Sequence, residues 1–239
     1  MSGHSKWSTI KRQKGANDAA RGKLFSKLSR GISIAVKTGG SPSPEQNYSL
    51  RMAIEAAKAE NMPRDTIDRA INKASEQGNL EEVTYEGFAF DGIQMLIEAA
   101  TDNRNRTSQV VKSILEKGGG NLGGPGSVSF NFDPKGLLTI KKDSDFDTQM
   151  LSLIDLGVDE VEELASELEI YVPRSELYNM KTKLEESGFP VLSFELVQKP
   201  KMTVKIEDKA KVGNLAVILE RFDEEEDVQK VYTNADFDE

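Results

Sequence analysis

Nine basic side chains crowd into residues 1–37: Lys6, Lys11, Arg12, Lys14, Arg21, Lys23, Lys27, Arg30 and Lys37, against Asp18 as the only acid. Ammonium and guanidinium groups at this density suit one kind of chemistry, the neutralisation of closely spaced phosphates. The segment carries +8 while the whole chain carries −9, which leaves −17 for residues 38–239. Phosphates respond to the field within a Debye length, ~8–10 Å at physiological salt, so the segregation of sign matters more than the net charge. A solvated charged face is the simpler reading of any Lys/Arg run, but nine bases against one acid argue for an anionic partner. Trp7 sits among these cations. It either stacks on a base, worth ~1–3 kcal/mol, or packs against the neighbouring helices.

Other chemistries are poorly supplied. The chain has no cysteine, which removes disulfides, thiolate catalysis and Cys-containing zinc sites together. His4 is the only histidine, so no histidine metal cluster can form, and a Ser-His-Asp triad would have to run through it. Residues 118–127 read GGGNLGGPGS, which tempts a phosphate-loop reading. They lack the Lys-Ser/Thr of that loop and precede a strand rather than a helix, so a connecting loop is expected. The acidic stretches 155–169 and 223–227 have no EF-hand spacing and are expected to be solvated surface rather than a Mg²⁺ or basic-protein site. No catalytic residue, metal, cofactor or small-molecule substrate is therefore expected. No run approaches the ~18 apolar residues of a membrane span, the N-terminus lacks the apolar centre of a signal peptide, and Gly3 is off the myristoylation position. These features lead us to expect a cytoplasmic, non-enzymatic protein with no membrane partner.

The elements that must position the cations follow from periodicity. Residues 5–15 show no apolar period and are expected to be an arm that orders on binding. From Asn17, Leu24, Phe25, Leu28, Ile32, Ala35 and Val36 recur at helical spacing within about 120° of arc. Lys23, Lys27, Arg30 and Lys37 fall within about 80° on the other side, which predicts a helix with a solvent-facing basic stripe. Arg21 leans toward the apolar side and should lie at the helix edge or snorkel. Ser43, Pro44 and Gln46 resemble a capping box that opens a second helix running to Glu60. Asn61-Met62-Pro63 is a break before a third helix over 64–74.

The period then changes. Residues 84–90 and 93–100 read as strands around an Asp91-Gly92 hairpin. A helix over 103–117, the glycine-rich loop and a strand over 128–132 follow. Residues 136–197 give strand, helix, strand, strand, helix, strand, the order of a ferredoxin-like split βαβ unit. Strands at 202–206 and 228–233 flank a helix over 208–221 and are expected to complete the sheet begun at Thr84. The fold class is thus α+β with three domains: a basic helical domain over 1–78, a central α+β domain over 79–130 and 201–239, and a ferredoxin-like insertion over 131–200.

Several blocks carry a family resemblance. Gly3-His4-Ser5-Lys6-Trp7, Ile10-Lys11, Arg21-Gly22-Lys23-Leu24-Phe25, Asn61-Met62-Pro63 with Ile67, Arg69 and Ala70, and Gly126-Ser127-Val128 together closely resemble the YebC/PmpR family along essentially the whole chain. The resemblance implies the same three domains. Members are described as DNA-binding transcriptional regulators. Others, including a mitochondrial translational activator of cytochrome oxidase, act on translating ribosomes. The implied partner is a nucleic acid, either duplex DNA or ribosomal RNA, with the ribosome as a further candidate. The residues expected to contact it are Lys6, Trp7, Lys11, Arg12, Lys14, Arg21, Lys23, Lys27 and Arg30. No base-reading helix of a known motif is identifiable among them, so these contacts would position rather than specify.

Overall fold

A computed structural model describes residues 18–76 and 80–237. Lys6, Trp7, Lys11, Arg12 and Lys14, together with His4, lie outside the described residues. The chain divides into two compact units. One is Phe132–Lys201, and the other holds the remainder.

The first unit opens with three helices, α1 (Asp18–Gly39), α2 (Tyr48–Ala59) and α3 (Arg64–Glu76). Their apolar seams meet in a core of Ile32, Ala35, Val36, Leu50, Ala57, Met62, Ile67 and Ala70, with Phe25 and Leu28 packed at its edge. The predicted apolar arc of α1 is therefore the buried one. The cap of α2 differs from expectation. Asn47, not Ser43, is the N-cap, and its side chain accepts from Leu50 N at 3.0 Å. The Asn47 amide also donates to Ala35 O (2.7 Å) and Ser41 O (2.8 Å). Asn47 thereby ties α1 to α2, whereas Ser43 closes only a single turn, accepting from Gln46 N and Asn47 N. Gly39 permits this approach, because a Cβ there would lie 2.1 Å from Asn47 Oδ1.

A four-stranded sheet of order β3-β1-β2-β9 follows, built from β1 (Glu81–Phe88), β2 (Gln94–Thr101), β3 (Asn121–Leu122) and β9 (Val228–Thr233). Strands β1 and β2 pair antiparallel from Glu81↔Thr101 to Phe88↔Gln94, and β9 lies antiparallel on β2. Asp91 (φ 55°) and Gly92 (φ 75°) turn the hairpin with two left-handed residues, as an Asp-Gly pair should. Helices α4 (Arg104–Lys117) and α7 (Lys209–Glu224) close a core containing Ile93, Met95, Ile97, Val111, Leu115, Leu215, Ile218, Leu219 and Phe222. The C-terminal segment completes this sheet only in part. The strand β8 (Val204–Ile206) pairs instead with β10 (Ala235–Phe237), parallel, in a separate two-stranded sheet.

The expected strand over 128–132 is absent: Ser129–Asn131 is a 3-10 turn and β4 begins at Phe132. The reason is chemical. The N–H groups of Val128 and Ser129 donate to the Glu86 carboxylate at 2.6 and 2.9 Å, so they cannot join a ladder.

The second unit runs β4 (Phe132–Lys141), α5 (Phe146–Asp155), β5 (Glu160–Glu163), β6 (Glu167–Pro173), α6 (Leu177–Glu186) and β7 (Val191–Pro200). Its antiparallel sheet has the order β5-β6-β4-β7. Gly136 of β4 lets α6 approach, since a Cβ there would stand 2.8 Å from Leu177 Cβ. Lys199 lies 3.7 Å from the Tyr171 ring centre and bridges Glu160 (2.6 Å) and Glu162 (2.7 Å). This unit holds fifteen acidic and eight basic residues, a charge of −7.

Candidate nucleic-acid interface

The cations of α1 divide by fate. Arg21 and Lys23 are exposed. The Arg21 guanidinium rests 5.6 Å from the Phe25 ring centre, the snorkelling geometry expected of it. Lys27 is the departure. It is only 8% exposed and donates to Phe222 O at 3.4 Å. Phe222 lies in the last turn of α7, and its carbonyl also accepts from Glu225 N at 3.2 Å, so the ammonium adds a second donor at the negative end of the helix. Arg30 is likewise spoken for. Its Nη1 donates to Asp227 Oδ1 (2.5 Å) and Ala100 O (3.2 Å), and its Nη2 reaches Glu226 Oε2 (3.4 Å). The basic stripe is thus not a uniform solvent-facing one: in its middle Lys27 packs on the end of α7 and Arg30 on the acidic residues before β9.

Asp227 is the hub of that contact. Its Oδ2 accepts from Thr107 Oγ1 (2.7 Å), Arg106 Nη2 (2.9 Å) and Thr101 Oγ1 (3.3 Å). Burial would raise its pKa, but these bonds and the two guanidiniums outweigh it and hold the carboxyl below its usual range. Within the stretch 223–227, expected to be solvated surface, Glu224 and Glu226 are exposed, but Asp227 is an internal counter-charge to α1.

The glycine-rich loop also proves to be occupied from within. Glu86 Oε1 accepts from Gly126 N (2.7 Å), while Oε2 takes the Val128 and Ser129 N–H groups. Burial alone would raise the Glu86 pKa, yet the three backbone donors and the Ser129 hydroxyl lower it overall. An anion does sit in this loop, and it is the protein's own.

A cleft between α1 and α3 was not foreseen. Small residues form its floor: Ser29 and Ser33 on α1, Ala70 and Ala74 on α3. Ser33 Oγ marks the close approach, 3.5 Å from Ala70 O. Cations form the rims, with Arg30 and Lys37 on α1 and Arg69 and Lys73 on α3, and Thr66, Leu80 and Asp102 complete it. Its volume is about 450 Å³. Among the described residues Asp102 is its only acid, and it is paired with Arg106 at 2.8 Å. The signal was present in the sequence as two polar rows at helical spacing, Ser29-Ser33-Lys37 and Thr66-Arg69-Lys73. Among the described residues, no group of His, Asp or Glu side chains is placed to hold a metal ion, and no helix is long and apolar enough to cross a membrane.

Comparison with known proteins now bears on this arrangement. A family model described as "TACO1/YebC protein N-terminal domain" matches residues 5–77, and one described as "TACO1/YebC second and third domain" matches residues 80–235. The chain belongs to the TACO1/YebC family. Relatives in this family include a "Probable transcriptional regulatory protein" of Chloroflexus aurantiacus, 46% identical over 99% of this chain and 96% of the relative. One from Geobacter sp. (strain M21) is 45% identical over 100% and 97% of the two chains. One from Finegoldia magna is 43% identical over 99% of each. The crystal structure of a conserved hypothetical protein from Aquifex aeolicus matches with a TM-score of 0.83, at 40% identity over 93% of both chains. The TACO1/YebC family is thus a regulator family by the names its members carry, and the mixed α/β architecture is shared with a solved structure.

Proposed function

We propose that the protein is a non-enzymatic, DNA-binding transcriptional regulator that meets duplex DNA through its basic N-terminal segment. The observation that carries this reading is the +8 charge of residues 1–37, set against a −7 charge in the second unit that repels polyanions. The names of the relatives support regulation of transcription. Lys6, Trp7, Lys11, Arg12, Lys14, Arg21 and Lys23 form the footprint. Lys27 and Arg30 act one step back, holding α1 on the unit rather than touching phosphate.

The reading extends to the domains. The family models part between residues 77 and 80, which supports a helical domain over 1–78. The βαββαβ order and the strand order β5-β6-β4-β7 support a ferredoxin-like insertion.

The test is binding of the full-length chain to duplex DNA across a salt series. About six phosphate contacts give a log–log slope near −5, and reversing Lys11, Arg12, Lys14 and Lys23 to Glu should remove most of the affinity. A wild-type chain that ignores duplex DNA at ~150 mM salt but sediments with ribosomes would replace this reading with a translational one.

A further inference from the structure

We infer that the cleft between α1 and α3 is a second phosphate-binding subsite, in which Arg69 and Lys73 hold a phosphodiester of the bound nucleic acid beside the hydroxyl of Thr66. The inference rests on the DNA-binding reading above and extends the footprint from the N-terminal segment to a different helix.

Pairing state decides which cations can serve. Arg30 is committed to Asp227 and Glu226, and Arg106 to Asp102 and Asp227. Arg69 and Lys73 differ. Both are exposed, and among the described residues no carboxylate pairs with either. Arg69 folds along its own helix, with Nε donating to Asp65 O (3.0 Å) and Nη2 to Thr66 Oγ1 (3.2 Å). That leaves its fork oriented beside a hydroxyl, a pairing that suits phosphate oxygens. Lys37 adds positive charge on the α1 rim while donating to Leu80 O at 2.9 Å.

The backbone explains why α3 presents these side chains here. Asn61 takes a left-handed conformation (φ 57°), Met62 is buried, and Pro63 O accepts from Thr66 N and Ile67 N. This break fixes where α3 begins, and Ile67 and Ala70 then lock its apolar side into the core. Thr66, Arg69 and Lys73 are carried to the cleft along two turns, about 10 Å of helix. The small floor residues keep the helices close, so cations from two elements converge on one space. Convergence distinguishes the cleft from a solvated charged face.

The experiment compares the full-length wild type with R69E/K73E and with the size-preserving R69Q/K73Q, using labelled duplex DNA over a salt series. Both substituted side chains are exposed, and thermal melting checks that each variant is folded. Loss of two phosphate contacts should flatten the log–log slope by about 1.8 and weaken binding about tenfold or more, with R69E/K73E the weaker. Variants that bind DNA with the wild-type slope would overturn the subsite and leave the DNA-binding reading standing. A wild type that binds no duplex DNA would overturn both. If the variants lose saturable binding of inorganic phosphate but keep that of DNA, the cleft is a small-anion site and the inference fails.

Discussion

The glycine-rich loop and the α1/α3 cleft both gather donors for an anion, and they differ in where the anion comes from. In the loop it is Glu86, covalently part of β1 and held by three backbone N–H groups. In the cleft Arg69 and Lys73 have no carboxylate partner among the described residues. The N-terminal helix repeats the contrast within one element, with Lys27 and Arg30 satisfied internally and Arg21 and Lys23 exposed. A cluster of donors is thus a binding site only after the internal acceptors have been counted. Buried donors demand a partner, and a folded chain that supplies its own has turned a binding group into a structural one.

The largest effect that would test this contrast is at Asp227. Asp227→Ala removes the acceptor shared by Arg30, Arg106, Thr107 and Thr101. Arg30 would keep only the exposed Glu226 and Arg106 only the exposed Asp102, and loss of the half-buried acceptor they share with two threonines should cost about 3 kcal/mol, read as a lowered denaturant midpoint. The pH dependence has a definite sign. A carboxyl whose folded pKa is depressed contributes stability that is fully present above its unfolded value, about 3.9, and lost as pH falls through the folded pKa. The stability gap between wild type and Asp227→Ala should therefore be widest at neutral pH and close below about pH 4. A gap independent of pH would mean that Asp227 acts by packing rather than by charge.

This contact also shows what the sequence makes legible. The apolar arc of α1 could be read from its 3.6-residue period, because core burial is a property of one element's own face. The fate of the opposite face could not. Arg30 meets Asp227 across 197 positions and Lys27 meets Phe222 across 195, and no local pattern announces either pairing. The central hairpin was legible through Asp91-Gly92, whose turn chemistry is local. The 128–132 segment departs from expectation because alternation predicts a strand only when the N–H groups are available for a ladder, and Glu86 claims those of Val128 and Ser129 from 42 and 43 residues away. The three-residue strands β8 and β10 are too short to carry a period. Of the candidate site, the charge density was legible, whereas the cleft needed two helices to be placed side by side.

A middle-sized effect is expected at Glu86. Glu86→Gln keeps the volume, but its single carbonyl oxygen can serve Val128 and Ser129 only by turning its NH2 toward Gly126 N. The Gly126 N–H, at an exposed residue, exchanges its acceptor for water, and with the loss of the charge-assisted bonds to Val128 and Ser129 the change should cost about 2 kcal/mol. The loop's anion is internal, so the variant should bind duplex DNA with an unchanged salt slope when assayed well below its melting temperature. A flattened slope would show that the loop also meets the nucleic acid and would blur the contrast drawn above.

The smallest effect is the sharpest discriminator within a single helix. Lys23→Gln and Lys27→Gln remove the same charge one helical turn apart on α1. Lys27 is buried against the C-terminal turn of α7, so its loss removes an ammonium from the negative end of that helix and a buried hydrogen bond to Phe222 O, and should cost about 1 kcal/mol of stability. Lys23 is exposed, and its loss should shift stability by less than about 0.5 kcal/mol. The order reverses for binding. Lys23→Gln should flatten the salt slope of DNA binding by about 0.9, and Lys27→Gln should leave it unchanged. Opposite rankings in melting and in binding are what two fates for one basic stripe require. Equal slopes for the two variants would mean that α1 meets phosphate through its long-range field alone, with no side chain assigned to a contact.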